Sequence, residues 1–441
     1  MRQARNLGLV ALVALVAAGA VAAPPALVWQ GTSEIATARA EQGPWRQSES
    51  RYDYVDDPTV AIDGAGGIAV AWVDQARKAV LLQRFSAAAA PELAQPTDVS
   101  RQPATFSWLP RLAFAPDAPH QLYAAWQEIV FTPGGSHGGE IFFARSDDGG
   151  RTFAPPLNLS RSKGGDGKGR INREVWHNGS LDLAAAPGGD VQAAWTEYDG
   201  ALWHTRSTDG GRSFAQPRRV AGDGRAPARA PSLATGRDGT VYLAWTVGED
   251  ARADIRLSVS RDSGASFGPP RVVARSRGYS DAPKLAVDRR GALHLAYAES
   301  PDGPFGRAHV RYARSFDGGR RFEVPREVSA PLPPGRVSAS YPSLALGGPG
   351  EVVLAWELGR AAQQLPRGLA FAVSKDSGAS FTPAEVVPDS VDPQGGFNGS
   401  RQGLLMKKLA VSEQGAVAVV NSSFQAGVRS RVWVTRGAVQ R

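Results

Sequence analysis

Arginines, carboxylates and aromatic rings return at matching places along this 441-residue chain. One set comprises Trp108 and Arg111; Trp176, His177 and Asn178; Arg229; Arg277, Tyr279, Asp281 and Lys284; Arg336 and Tyr341; and Asn398, Arg401 and Lys407. A second set is one acid shortly after an apolar run that ends in Trp or Tyr: Asp74, Glu128, Glu197, Glu299 and Glu357, with one copy displaced to Glu249 or Asp250. Guanidinium forks grip carboxylates bidentately, and rings with a few placed polar groups line ligand sites, so the mixture suits polar, acidic or sugar-like ligands. Acids at strand ends also cap backbone N–H groups or pair with neighbouring arginines. A ring of acids could instead hold a cation, but six His and no Cys leave oxygen ligands, which suit calcium. No Asp-x-Asp-x-Asp loop is present, so neither a metal nor another cofactor is expected.

A repeat positions these residues. The pattern Ser-x-Asp-x-Gly-x-x-Phe occurs five times, as Ser146 to Phe153, Ser207 to Phe214, Ser260 to Phe267, Ser315 to Phe322 and Ser374 to Phe381. Its aspartates, Asp148, Asp209, Asp262, Asp317 and Asp376, lie 61, 53, 55 and 59 residues apart. That period belongs to an array of supersecondary units, each too small to bury its own apolar face. The central Asp-Gly or Ser-Gly supplies positive φ for a tight hairpin, and the aspartate accepts N–H groups of its own turn. Five acids spread around an array cannot converge on one substrate, so they read as hairpin locks. The closing Phe reads as an anchor between strands.

A larger unit surrounds each hairpin. It opens on Pro-x-apolar-Ala, turns at a glycine and closes on an apolar run, as in Pro58 to Asp74, Pro231 to Thr246 and Pro342 to Glu357. Such short runs between Gly and Pro are strand signals, and no segment beyond the N-terminus keeps a 3.6-residue period. The chain reads as all-β. Trp72, Trp126, Trp195, Trp245, Tyr297 and Trp356 end six second strands, and Val420 ends a degraded seventh in Leu404 to Asn421, followed by a strand at Arg431 to Thr435. Seven four-stranded blades are expected, with six as the alternative. The last unit has room for three strands, so an N-terminal strand at Ala26 to Thr32 or Trp45 to Arg51 would close the ring and remove exposed edges.

The recurring hairpin resembles the Asp-box, or BNR repeat, of the sialidase-like β-propellers, and the resemblance covers essentially everything after residue 50. It implies a β-propeller whose boxes lie on the face away from the active site. That family uses three arginines on the substrate carboxylate, a Tyr paired with a Glu as nucleophile, and an Asp as acid/base. Carried onto this chain, it implies Tyr341, Glu197 and Asp281 as catalytic residues. Arg111, Arg229, Arg277 and Arg401, with Trp108 and His177, would hold the substrate. Where the family opens its first blade with an Arg-Ile-Pro motif, this chain has Asp56-Asp57-Pro58. The reading is therefore a propeller that binds a glycan or protein at the channel mouth, with an exo-acting sialidase-type hydrolase as the alternative.

Arg2 and Arg5 precede an apolar stretch from Leu7 to Ala23, which reads as a secretory signal peptide cleaved after Ala22. A retained membrane anchor is the alternative, short for a span. Residues 23–50 then form an N-terminal segment and residues 51–441 the propeller. The expected protein is extracytoplasmic and monomeric, without a further membrane span. Fifty Lys and Arg face 42 Asp and Glu, a formal charge of +8, but the bases are scattered and no aromatic-rich basic stretch exists. Nucleic acid is thus not an expected partner, whereas a basic exterior would steer anionic glycans. Two Gly-rich stretches, Ser160 to Arg173 and the segment around His137, read as loops able to carry function.

Overall fold

The computed structural model describes residues 26–41, 52–102, 105–132, 135–161, 180–197, 199–248, 253–273, 278–304, 306–362, 364–399 and 405–441. It forms seven antiparallel four-stranded sheets arranged as the blades of a propeller. Among the described residues there is no α-helix, and a 3-10 turn stands at Pro187–Gly189.

In each of blades 1 to 6 the strands run outward in chain order. The inner strands are Val55–Ile62, Phe106–Ala115, Leu181–Ala185, Ala228–Thr235, Tyr279–Val287 and Ser338–Leu346. Second strands are buried along almost their whole length, as at Ile68–Asp74 and Val191–Thr196, because neighbouring blades cover both faces. That is why they read as continuous apolar runs rather than alternating ones. Their aromatic markers Trp72, Trp126, Trp195, Trp245, Tyr297 and Trp356 are at most 2% exposed. Outer strands are very short, two residues at Thr97–Asp98 and Arg271–Val272, which keeps the open edge small.

Blade 7 closes the ring. Its inner strand is Leu409–Val411, its second Ala416–Gln425 and its third Arg429–Val439, and the N-terminal strand Leu27–Ala38 supplies the fourth. Thr32 faces Thr435 across that last ladder, their hydroxyls 3.0 Å apart, and Glu34 pairs with Arg431 at 3.0 Å. Of the two expected closing segments, Ala26 to Thr32 overlaps this strand, which begins at Leu27 and continues to Ala38. Trp45 to Arg51 lies outside the described residues. The second strand of blade 7 runs past Val420 to Gln425.

The five Ser-x-Asp hairpins join third to fourth strands of blades 2 to 6. In blade 3 the Ser207 hydroxyl donates to Asp209 Oδ1 at 2.7 Å and accepts the Gly211 N–H at 2.9 Å. Ser213 donates its N–H to the same Oδ1 and its hydroxyl to Oδ2. The turn needs two left-handed residues, and a Cβ on Gly211 would also stand 2.7 Å from Phe143. The closing Phe anchors neighbouring blades rather than strands of one blade. Phe214 meets Phe143 of blade 2 edge-on at 4.7 Å, and Phe381 meets Tyr312 of blade 5 at 4.9 Å. The Phe returns along the outer edge of its own blade and finds its apolar surface across the seam.

Candidate functional site

The site is built from bulges in the inner strands. Asp57, Leu109, Ala230, Ala282 and Tyr341 all have positive φ, and each is followed by a proline. At these points the ladder to the second strand skips: Asp56 to Thr59, Trp108 to Arg111, Arg229 to Ser232, Asp281 to Lys284 and Ser340 to Ser343. Proline has no N–H to give the ladder, and the bulge re-aims the side chain beyond it. Short side chains there stitch to the next blade. Ser232 Oγ accepts the Leu285 N–H at 3.0 Å, and Ser343 Oγ accepts the Lys408 N–H at 3.0 Å. Blade 3 does the same with Asp182, whose Oδ2 accepts the Leu233 N–H at 2.7 Å.

In blades 2 and 5 that place holds a long cation instead, and both cations reach for blade 7. Arg111 Nη2 donates to the Leu405 carbonyl at 3.2 Å, and Lys284 Nζ donates to the same carbonyl at 3.0 Å. Lys407 Nζ pairs with Asp182 Oδ1 at 2.7 Å, and Arg111 Nε lies 4.0 Å from the same oxygen. Two cations therefore flank one carboxylate, and the third, Lys284, shares the Leu405 carbonyl with Arg111. Arg111 is 2% exposed, and its Nε has no hydrogen-bond partner among the described residues. Burial, reinforced by the charge of Arg111, lowers the Lys284 ammonium to about 7. Burial, then the charge of Asp56, pushes the Asp57 carboxyl up to about 8. Perturbed groups of this kind concentrate at functional sites.

A second group adjoins this one on the seam between blades 4 and 5. Arg229 Nη2 bonds the Tyr279 hydroxyl, and its guanidinium lies 5.3 Å from that ring centroid. The same Nη2 stands 3.6 Å from Asp281 Oδ1, which also accepts the Thr246 hydroxyl at 3.0 Å. Asp281 retains 20% side-chain exposure, so this carboxylate meets solvent beside its arginine.

The structure thus brings Arg229 and Asp281 together. Tyr341 is half-buried at the blade 6 bulge, with φ of 48°, and Glu197 is half-buried in the tight turn after the second strand of blade 3. Arg111 lies on the wall of the axial cluster, and Trp108 is buried against Tyr52 and Tyr54. Arg277, Arg401 and His177 lie outside the described residues, as do Trp176, Asn178, Glu249, Asp250 and nearly all of the Gly-rich insert, 162–173. The stretch around His137 is strand, Gly135–Ser146.

The acids after the second strands are engaged within the fold. Asp74 accepts the Arg77 N–H of its own turn at 3.1 Å. Glu128 accepts Ser107 at 2.7 Å, together with Thr105 and Trp126 Nε1, and burial raises it to about 7. Glu299 pairs with Arg311 at 2.7 Å, and Glu357 with Lys408 at 2.5 Å. Among the described residues no three His, Asp or Glu gather as a metal would require.

Asp182 and Asp57 were not visible as site residues in the sequence. Asp182 follows the long insert without the usual proline, and Asp57 stood out only as a departure from the family motif. The available signal was the recurring residue–Pro pair at the same place in each inner strand.

At the level of sequence the chain matches no family profile and no curated protein. Solved structures share its fold at TM-scores near 0.5. A protein of unknown function from Dyadobacter fermentans DSM 18053 aligns at TM-score 0.51 and 14% identity over 78% of this chain and 97% of that one. A PL25 ulvan lyase, a polysaccharide lyase solved with -[GlcA(1-4)Rha3S]-, aligns at 0.51 and 12% identity over 86% and 94%. The GH93 alpha-L-arabinofuranosidase of Fusarium graminearum, solved with arabinobiose, aligns at 0.52 and 13% identity over 76% and 94%. At such identities the likeness establishes the fold and nothing finer.

Proposed function

We propose that this chain is a sialidase-like Asp-box propeller, acting outside the cytoplasm, that binds an acidic glycan at the mouth of its central channel. The observation that carries the reading is the gathering of Arg111, Lys284 and Lys407 at the channel axis, where Arg111 and Lys284 share the Leu405 carbonyl and Arg111 and Lys407 flank Asp182. The excess positive charge and the orphan Arg111 Nε favour an anion entering from the mouth. Arg229, Tyr279 and Asp281 beside them supply the ring and hydrogen-bonding groups that fix a sugar. Fold neighbours that act on polysaccharides support a carbohydrate ligand, and the N-terminal apolar stretch supports the compartment. Hydrolysis is the second reading, favoured by Tyr341, the one aromatic side chain at a bulge position and one held at positive φ.

Calorimetric titration with a galacturonate trisaccharide and with sialyllactose, against lactose, tests the binding reading. Acidic sugars should bind, and Lys284→Met should weaken them about tenfold or more. Affinity should also fall as pH rises through about 7, where Lys284 loses its proton. Equal affinity for lactose, or an unaltered Lys284→Met titration, rejects the proposal. Release of reducing sugar that Tyr341→Phe abolishes would move the chain to the hydrolase reading.

A further inference from the structure

The face bearing the Ser-x-Asp hairpins is sutured from blade to blade by arginines, and one seam lacks its sutures. The residue just before the hairpin serine is Arg145 in blade 2, Arg206 in blade 3 and Arg314 in blade 5. Each reaches a carbonyl of the next hairpin: Arg145 to Gly210 at 3.3 Å, Arg206 to Ser263 at 2.9 Å and Arg314 to Ser377 at 2.8 Å. Outer strands add a second suture, Arg218 to the Ala265 carbonyl at 3.0 Å and Arg326 to that of Ala379. In blade 4 the first position is Val259, so nothing reaches Gly318 of blade 5. The second position is Arg271, whose guanidinium makes no such bond. The hairpin residue it would meet is Arg320, where blades 4 and 6 have alanine.

A cavity of about 360 Å³ occupies the unsutured seam. Leu257, Val259 and Pro269 form an apolar side, and Arg261, Arg271 and Arg320 line the rest. None of these three guanidinium groups makes a side-chain hydrogen bond or a salt bridge among the described residues; those of Arg261 and Arg320 act on Asp238 and Asp317 only through their charge. Asp262 also lines the cavity, but its oxygens are occupied by Ser260 and Ser266 of its own turn. Volume, apolar side and three uncommitted forks are the makings of a ligand site for an anion with a hydrophobic face.

We propose that this cavity binds an anionic sugar unit, carboxylated or sulfated, as a second site on the face opposite the mouth. A pyranose ring offers its C–H face to Val259 and Pro269 while its acidic group meets the arginines. The site does not depend on the axial cluster. On a long acidic polysaccharide the two sites would engage separate stretches of chain, gaining avidity if the polymer spans both.

The test titrates the full chain with a galacturonate trisaccharide, a sulfated galactose disaccharide, neutral cellotriose and hexaglutamate. In a Lys284→Met background, which weakens the mouth contribution, the acidic sugars should still bind. The triple variant Arg261→Ala/Arg271→Ala/Arg320→Ala should weaken that binding about tenfold or more. Val259→Arg, which restores the missing suture to Gly318, should close the cavity and abolish binding without lowering the melting temperature. Affinity left unchanged by either change overturns the proposal, as does loss of all binding with Lys284→Met alone. Hexaglutamate binding as well as the sugars would overturn the assigned ligand class, and saturation by cellotriose would overturn the role of charge.

Discussion

The hairpin aspartates and three buried acids toward the mouth, Asp57, Glu128 and Glu357, are the same chemical groups titrating in opposite directions. Every hairpin aspartate is held below its ordinary value, Asp209 and Asp376 to about 2. For Asp209, slight burial opposes ionisation, but hydrogen bonds from Ser213, Ser207 and the Arg212 N–H outweigh it. Toward the mouth, burial dominates: Asp57 rises to about 8, Glu128 to about 7, and Glu357 is also raised. One face uses ionised acids to hold its own turns, where water still screens them. The other keeps ionisable groups dry around a surplus of cations. Structural locks can repeat because each serves only its own hairpin, whereas a site must break the repeat.

The largest test of this contrast is a pH profile. Because the Glu128 pKa is raised in the folded protein, the native state holds a proton that the unfolded chain has released. Its contribution to stability is full below about 4.5 and is lost as pH rises through about 7. Replacing it by Gln removes this share of the decline, on the order of 3 kcal/mol between those limits. Melting followed from pH 4 to pH 8 reads the effect. A Glu128→Gln profile that falls as steeply as the parent would mean that Glu128 is not desolvated, and the contrast between faces would weaken.

Asp209→Ala probes the other side with a smaller effect of opposite sign. A lowered pKa stabilises above about 4 and loses that contribution as pH falls through about 2. The variant should therefore melt lower by about 1–2 kcal/mol at neutral pH, by analogy with a lost cap, and converge on the parent in acid. Acidic-sugar affinity at the mouth should stay unchanged. A deficit that persisted near pH 2, or lost binding with unchanged melting, would reverse the roles assigned to the two faces.

These two experiments also mark what the sequence could reveal. The hairpins, the buried Trp and Tyr markers and the missing fourth strand of blade 7 were legible because each recurs, or fails to recur, at a fixed place. Arg229 and Asp281 were legible as entries to inner strands. Their contact was not, since a one-residue bulge before Pro231 and Pro283 decides which way each points. Arg111 looked like a mouth residue by position, and the same bulge sends it into the channel wall toward Leu405. The acids after the second strands looked like one set. Glu128 and Glu357 are buried while Asp74 stays in a solvated turn, because burial depends on neighbouring blades that a periodic reading does not see.

The smallest prediction lies within the hairpin set itself. In blades 2, 3, 4 and 6 the Ser or Thr before the closing Phe donates its hydroxyl to the second oxygen of the aspartate, as Thr152 does at 2.6 Å. Blade 5 has Arg321 there, so Asp317 receives only the backbone N–H groups of Arg320 and Arg321 and the Ser315 hydroxyl. Arg321→Ser supplies the missing donor to an acceptor already oriented by its turn. The expected gain is about 0.5 kcal/mol, at the low end for one hydrogen bond because the site is exposed. Differential scanning calorimetry on the pair Arg321→Ser and Arg321→Ala separates the new hydroxyl from simple loss of the arginine. If both variants melt alike, the hydroxyl adds nothing, and the lock resides in the Ser–Asp–backbone bonds that all five hairpins share.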